Sequence, residues 1–138
     1  MYLEDLKPGQ TAETAHTVTE ADVTRFAEVS GDFNPLHMDA AYAASTPFKS
    51  RIAHGMLSAA FISAALGGKL PGPGAIYVSQ SLQFKRPVRI GDEVTTRIEV
   101  VSTDERRGLA TLKTTCSVNG KTVVAGEAVV QVARRAAA

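Results

Sequence analysis

The chain has 138 residues, 44% hydrophobic and 21% charged, with a formal net charge of +1. That length and balance suit one soluble domain, residues 1–138, with a real core, and exclude a disordered chain. A charge so near zero gives no field to draw nucleic acid or an acidic membrane, and a lone cysteine, Cys116, leaves no internal disulfide and suits a reducing, cytoplasmic setting.

The first ten residues lack the basic start and apolar run of a signal peptide. A strand is expected around Gln10 to Val18. Thr17 to Val29 predicts a helix: Thr19 can cap it, Glu20 and Asp22 suit its first turn, and Val23, Phe26 and Ala27 recur at helical spacing. Ser30-Gly31 ends it. Pro35 biases Asn34 towards extended geometry, so Asp32 to His37 is expected to be loop. Asp39 can cap a short helix through Tyr42 and Ala43.

Gly55 to Leu66 differs in kind. Met56, Leu57, Ala59, Ala60, Phe61, Ile62, Ala64, Ala65 and Leu66 surround a helix on every side, which predicts a fully buried one. Gly67-Gly68 is expected to stop it. Met56 to Leu66 is also the longest apolar stretch, too short for a membrane span of about 20 residues. From Ala75 the period becomes two. Ile76, Val78, Leu82 and Phe84 predict a strand bent near Gln80. Val94 to Val101, Leu109 to Val118 and Thr122 to Val132 predict three more, joined by turns at Asp104 to Gly108 and at Asn119-Gly120, a type I′ hairpin signal. The tail after Val132 is expected to fray. A buried helix followed by antiparallel strands makes an α+β fold, and a sheet wrapped around a central helix satisfies both patterns.

Asp32 and His37 are candidates for acid–base chemistry. On a helix their spacing would turn them roughly 140° apart. On a loop stiffened by Asn34 and Pro35 they can converge on one water or one substrate atom. Spacing alone leaves this open against a plain turn with a nearby histidine. Three histidines and one cysteine give no zinc-ligand spacing, so no metal site is expected. Lys85, Arg86 and Arg89 form a small basic cluster that is either a solvated strand end or a contact for phosphates. Cys116, in a strand pattern, is expected to be buried and inert.

Val29-Ser30-Gly31-Asp32-Phe33-Asn34-Pro35-Leu36-His37, followed by Ala43, closely resembles the hydratase 2 motif of the MaoC-like dehydratase family, which includes the (R)-specific enoyl-CoA hydratases. Ala53-His54-Gly55-Met56-Leu57 resembles that family's start of the central helix. Ile76 to Phe84, Pro87 to Val94 and Gly126 to Val130 resemble its strands. The resemblance implies a hot-dog fold and Asp32 and His37 as the catalytic pair, with Asp32 the main base and His37 its water-orienting partner. It also implies a backbone oxyanion donor at Gly55, at the positive end of the buried helix. His54 would orient the loop or helix start. Ser63 would stand near the acyl pocket, Asn34 would support loop and substrate, Ser58 would be structural, and Lys85 and Arg86 would meet coenzyme A.

The implied substrate is an acyl-CoA thioester, hydrated to an (R)-3-hydroxyacyl-CoA of fatty-acid metabolism and polyhydroxyalkanoate synthesis. Coenzyme A belongs to the substrate, so no cofactor is expected. A homodimer is expected, because one curved sheet leaves an open edge. Two alternatives stay open: a 3-hydroxyacyl-[acyl-carrier-protein] dehydratase, and a non-catalytic acyl-CoA-binding module. A thioesterase is disfavoured, since Gly55 to Leu66 contains no acid.

Overall fold

In the computed structural model, which describes residues 1–135, a one-turn 3-10 helix (Leu3–Asp5) leads into β1 (Thr11–Thr17) and α1 (Glu20–Ser30). Thr19 caps α1 as predicted, accepting from the Asp22 N–H while the Asp22 side chain accepts from the Thr19 N–H. These two bonds form a capping box. Gly31 ends α1 with a φ of 79°, in the left-handed region that glycine enters without steric cost.

Two short helices follow, α2 (Pro35–Met38) and α3 (Ala40–Ala44), then α4 (Gly55–Gly68). The stretch expected to be loop through His37 is therefore loop only as far as Asn34. Proline suits the first position of a helix, where its missing N–H would have no partner anyway, and the Asn34 side chain caps α2 at the Leu36 N–H. Asp39 caps α3 as expected. Gly67-Gly68 does not stop α4, which runs through both to a cap at Lys69.

The strands are β2 (Ile76–Gln80), β3 (Gln83–Phe84), β4 (Glu93–Asp104), β5 (Leu109–Val118) and β6 (Lys121–Gln131). They form one antiparallel sheet in the order β1-β4-β5-β6-β2, with β3 also on β6. The bend expected near Gln80 separates β2 from β3. There the Ser81 carbonyl presses on β6, and a Cβ on Gly126 would lie 1.8 Å from that oxygen, so only glycine fits. Asn119 and Gly120 both take positive φ, 51° and 76°, as the predicted hairpin turn requires.

α4 packs against β1, β4, β5 and β6, the hot-dog arrangement of a sheet around one helix. Ile62, Leu66, Ile98, Leu112 and Val130 form the centre of the core. Burying each such side chain contributes about 1.5–3 kcal/mol. Cys116 is buried there as expected, and burial pushes its thiol up from the ordinary value.

A further expectation is corrected. α4 is not buried on every side: Leu57, Ser58, Ile62, Ala65 and Leu66 are buried, but Met56, Ala60, Ser63 and Ala64 are exposed. One sheet covers one side of a helix, and among the described residues nothing buries the other. The tail after Val132, expected to fray, contacts the N-terminal turn as far as Arg135. Leu3 N–H donates to the Ala133 carbonyl, Arg135 N–H donates to Glu4, and the Arg135 guanidinium pairs with Asp5. These bonds tie the tail to the N-terminal turn through Arg135; residues 136–138 lie outside the described part. Among the described residues no helix is long and apolar enough to cross a membrane.

Candidate active site

The end of α1, the turn after it and the start of α4 meet at Asp32, His37 and His54. One side-chain donor atom from each lies within 4.8 Å of the others. Asp32 is exposed, His37 half-buried and His54 buried.

Asp32 is held at its backbone and at its carboxylate. Its N–H donates to Ser30 Oγ at 3.1 Å, and the Ser30 hydroxyl donates to the Phe26 carbonyl of α1. Its own carbonyl takes Nε2–H of His54 at 2.9 Å. Its Oδ1 accepts from the Asn34 N–H at 3.1 Å. The side chain thus projects from a fixed backbone into solvent, free to meet a small molecule.

His37 is held just as tightly. Its Nδ1 lies 2.7 Å from the Ile52 carbonyl. A carbonyl only accepts, so Nδ1 carries the proton and Nε2 of the neutral ring is left with a lone pair. The His37 carbonyl accepts from Arg51 Nε, and Arg51 reaches on to Glu20 at 2.9 Å. A carboxylate and an imidazole lone pair side by side are two acceptors, able to receive both hydrogens of one water. The His37 and His54 rings face each other at 4.0 Å with a 32° tilt.

His37, His54 and Gly55 line a cavity of about 530 Å³ whose other walls include Phe48, Ile52, Phe84, Val88 and Val124. Ser58, Lys85 and Arg86 line it too. Gly55 is the first residue of α4, where helix N–H groups lack partners and the dipole is positive. A Cβ on Gly55 would come within 2.7 Å of the Phe84 ring, so the glycine also lets that wall close. Arg86 Nη1 donates to the Thr122 carbonyl, and Arg89 is turned away, donating to the Phe48 carbonyl and Ser50.

Ser63 is not in this cavity. It lines a second one, of about 500 Å³, with Phe26, Ala59, Ala60, Tyr77, Val78 and Gln80, and Met56 borders both. The serine that lines the cavity with His37 and His54 is Ser58. The Asn34 side-chain oxygen is committed to the α2 cap. Arg51 and the Ile52 carbonyl, which orient His37, escaped sequence reasoning: neither has a local signal, and both act from 14 and 15 residues away.

Comparison with known proteins identifies the family of the chain. A family model described as MaoC like domain matches residues 5–122. The chain is 56% identical over 134 residues to the (R)-specific enoyl-CoA hydratase of Rhodospirillum rubrum, covering 97% of this chain and 93% of that one. It is 48% identical over 135 residues to the 3-hydroxybutyryl-CoA dehydratase of Methylorubrum extorquens, covering 98% and 86%. Among solved structures, the (R)-hydratase of Aeromonas caviae involved in PHA biosynthesis superposes with a TM-score of 0.91 at 48% identity, covering 94% of this chain and 98% of that one.

Proposed function

The chain belongs to the family of MaoC-like domains, and on that premise we propose that it is a hydro-lyase, an (R)-specific enoyl-CoA hydratase. It adds water to a trans-2-enoyl-CoA to give an (R)-3-hydroxyacyl-CoA. One observation carries this beyond the similarity: His37, the N-terminus of α4 at Gly55, and Lys85 with Arg86 line the same cavity. Those are the groups needed to act on a water, to stabilise a thioester oxyanion and to meet phosphates.

In this mechanism the thioester carbonyl points at the N–H groups of the first turn of α4. Charge developing on that oxygen meets fixed donors and the positive helix end, which lowers the barrier. Asp32 and His37 hold a water against the β-carbon. Asp32 takes one of its protons as the oxygen bonds to the β-carbon, and His37 Nε2 accepts the other hydrogen bond and orients the attack. The proton Asp32 holds then passes to the α-carbon, so one water adds in full and both groups return to their starting state. No resident metal or cofactor is called for.

The enzyme is proposed to work as a homodimer in the cytoplasm, making the hydroxyacyl-CoA used in polyhydroxyalkanoate synthesis. The exposed Met56, Ile76, Tyr77 and Val78 on α4 and the edge strand β2 support a second copy, and the buried free Cys116 supports a reducing setting. The test follows loss of the enoyl-thioester absorbance with crotonyl-CoA. Wild type should consume it; indifference to CoA thioesters with activity on acyl-carrier-protein substrates would assign the dehydratase function instead.

A further inference from the structure

His54 occupies the N-cap position of α4, yet its side chain makes no capping hydrogen bond. Serine, threonine, aspartate or asparagine would serve that position better, because each offers a side-chain oxygen to a free N–H of the first turn. The ring is 2% exposed, and its Nδ1 is sealed from solvent with no hydrogen-bond partner among the described residues. A buried polar atom left unpaired is costly, and native chains keep few of them. A residue that breaks two local rules at once points to a demand from elsewhere in the fold.

That demand is visible at its other nitrogen. Nε2 is 2.9 Å from the Asp32 carbonyl, 22 residues back along the chain. The ring centroid lies 4.0 Å from that of His37 and 4.9 Å from that of Phe26. One rigid ring therefore touches the backbone of the acid and the face of the imidazole. The Asp32 carbonyl can only accept, so the proton sits on Nε2 and the orphaned Nδ1 carries the lone pair, which costs less than an orphaned N–H would. We propose that His54 is a positioning residue: a fixed Nε2–H tautomer that sets the separation and angle of Asp32 and His37 without itself exchanging a proton.

This rests on the hydratase reading for its kinetic arm and on geometry alone for its spectroscopic arm. Glutamine places an amide nitrogen where Nε2 stands, whereas leucine fills the space with no donor. We expect His54→Leu to lose kcat about 10²-fold, the scale of a misplacement of about 1 Å at a reacting centre, with KM within about threefold of wild type. His54→Gln should recover all but about fivefold of kcat. If both variants lose kcat equally, or His54→Leu keeps wild-type kcat, the proposal is overturned; a role in stability alone would lower the melting temperature of both without separating their kcat values.

The second arm uses ¹⁵N spectra of the ring nitrogens, with only three histidines to assign. Wild type should show His54 protonated at Nε2 and His37 protonated at Nδ1. His54→Leu should shift the His37 signals, and His54→Gln should leave them near their wild-type positions. A His54 ring protonated at Nδ1, or His37 signals indifferent to both variants, would overturn the proposal even in a protein that hydrates no enoyl thioester. Conversely, the predicted spectra with no hydration by wild type would sink the functional reading alone.

Discussion

Between α1 and α4, Asp32 and His37 are each fixed by several hydrogen bonds, and their partners come from Ser30, Asn34, Arg51, Ile52 and His54. Across β2 and the outer side of α4, Met56, Ile76, Tyr77 and Val78 stand exposed as a broad apolar face. The first region is built from directional bonds that fail when an atom moves by a fraction of an ångström. The second depends on area, and area tolerates small shifts. The first should therefore respond to changes of single atoms in rate, and the second to changes of charge in assembly.

Asp32→Asn and His37→Gln test the first region most severely. Each removes one acceptor of the water, so each should cut hydration of crotonyl-CoA by about 10²–10⁴-fold; Asp32→Asn should leave the melting temperature nearly unchanged, whereas His37→Gln, which loses the Nδ1–H bond to the Ile52 carbonyl, should lower it. Wild-type rates in both folded variants would remove the mechanism. Gly55→Val should come next, losing about 10²-fold or more in kcat through the blocked oxyanion site. Its side chain also meets the Phe84 ring, but that ring is exposed and can swing aside, so the cost in stability should be smaller. Loss of folding in thermal melts would instead assign the glycine to packing.

On the second face, Val78→Glu should convert a wild type with twice the mass of one chain at micromolar concentration into a monomer, read by light scattering. A wild type that is already monomeric would leave the apolar face without the proposed partner. The smallest effect belongs to α1, which carries Ser30 into the site loop. The Thr19 N–H first, and then the His16 ring 2.8 Å away, hold the Asp22 carboxyl below its ordinary value of 3.8. A carboxyl lowered in the folded state contributes stability above that ordinary value and loses it as the pH falls through the lowered one. Asp22→Asn should cost about 0.5–1 kcal/mol at neutral pH and flatten the acid side of the stability curve. Unchanged acid sensitivity would place the loss elsewhere.

Much of this was legible in the order of residues. Thr19 with Asp22, Asn119-Gly120 and the alternation of β4 to β6 are local signals, because a cap, a two-residue turn and a pleat are decided by neighbours in the chain. The candidate pair was legible only as a pair: Pro35 marked a break after Asn34, but it started a helix rather than extending a loop, and that one turn carries His37. The tail's tie to Glu4 and Asp5 spans 131 and 130 residues and has no local mark at all.

By itself, then, the sequence determined most of the elements, α2 excepted, the hairpin and the motif bearing Asp32 and His37, since each depends on short-range sterics and hydrogen bonds. The tertiary structure alone decided which side of α4 is covered, which serine joins the cavity, which nitrogen of His37 keeps its lone pair, and that His54 bonds to Asp32 rather than capping its helix. Those outcomes depend on atoms brought together across 14 or more residues, where the fold chooses the partner.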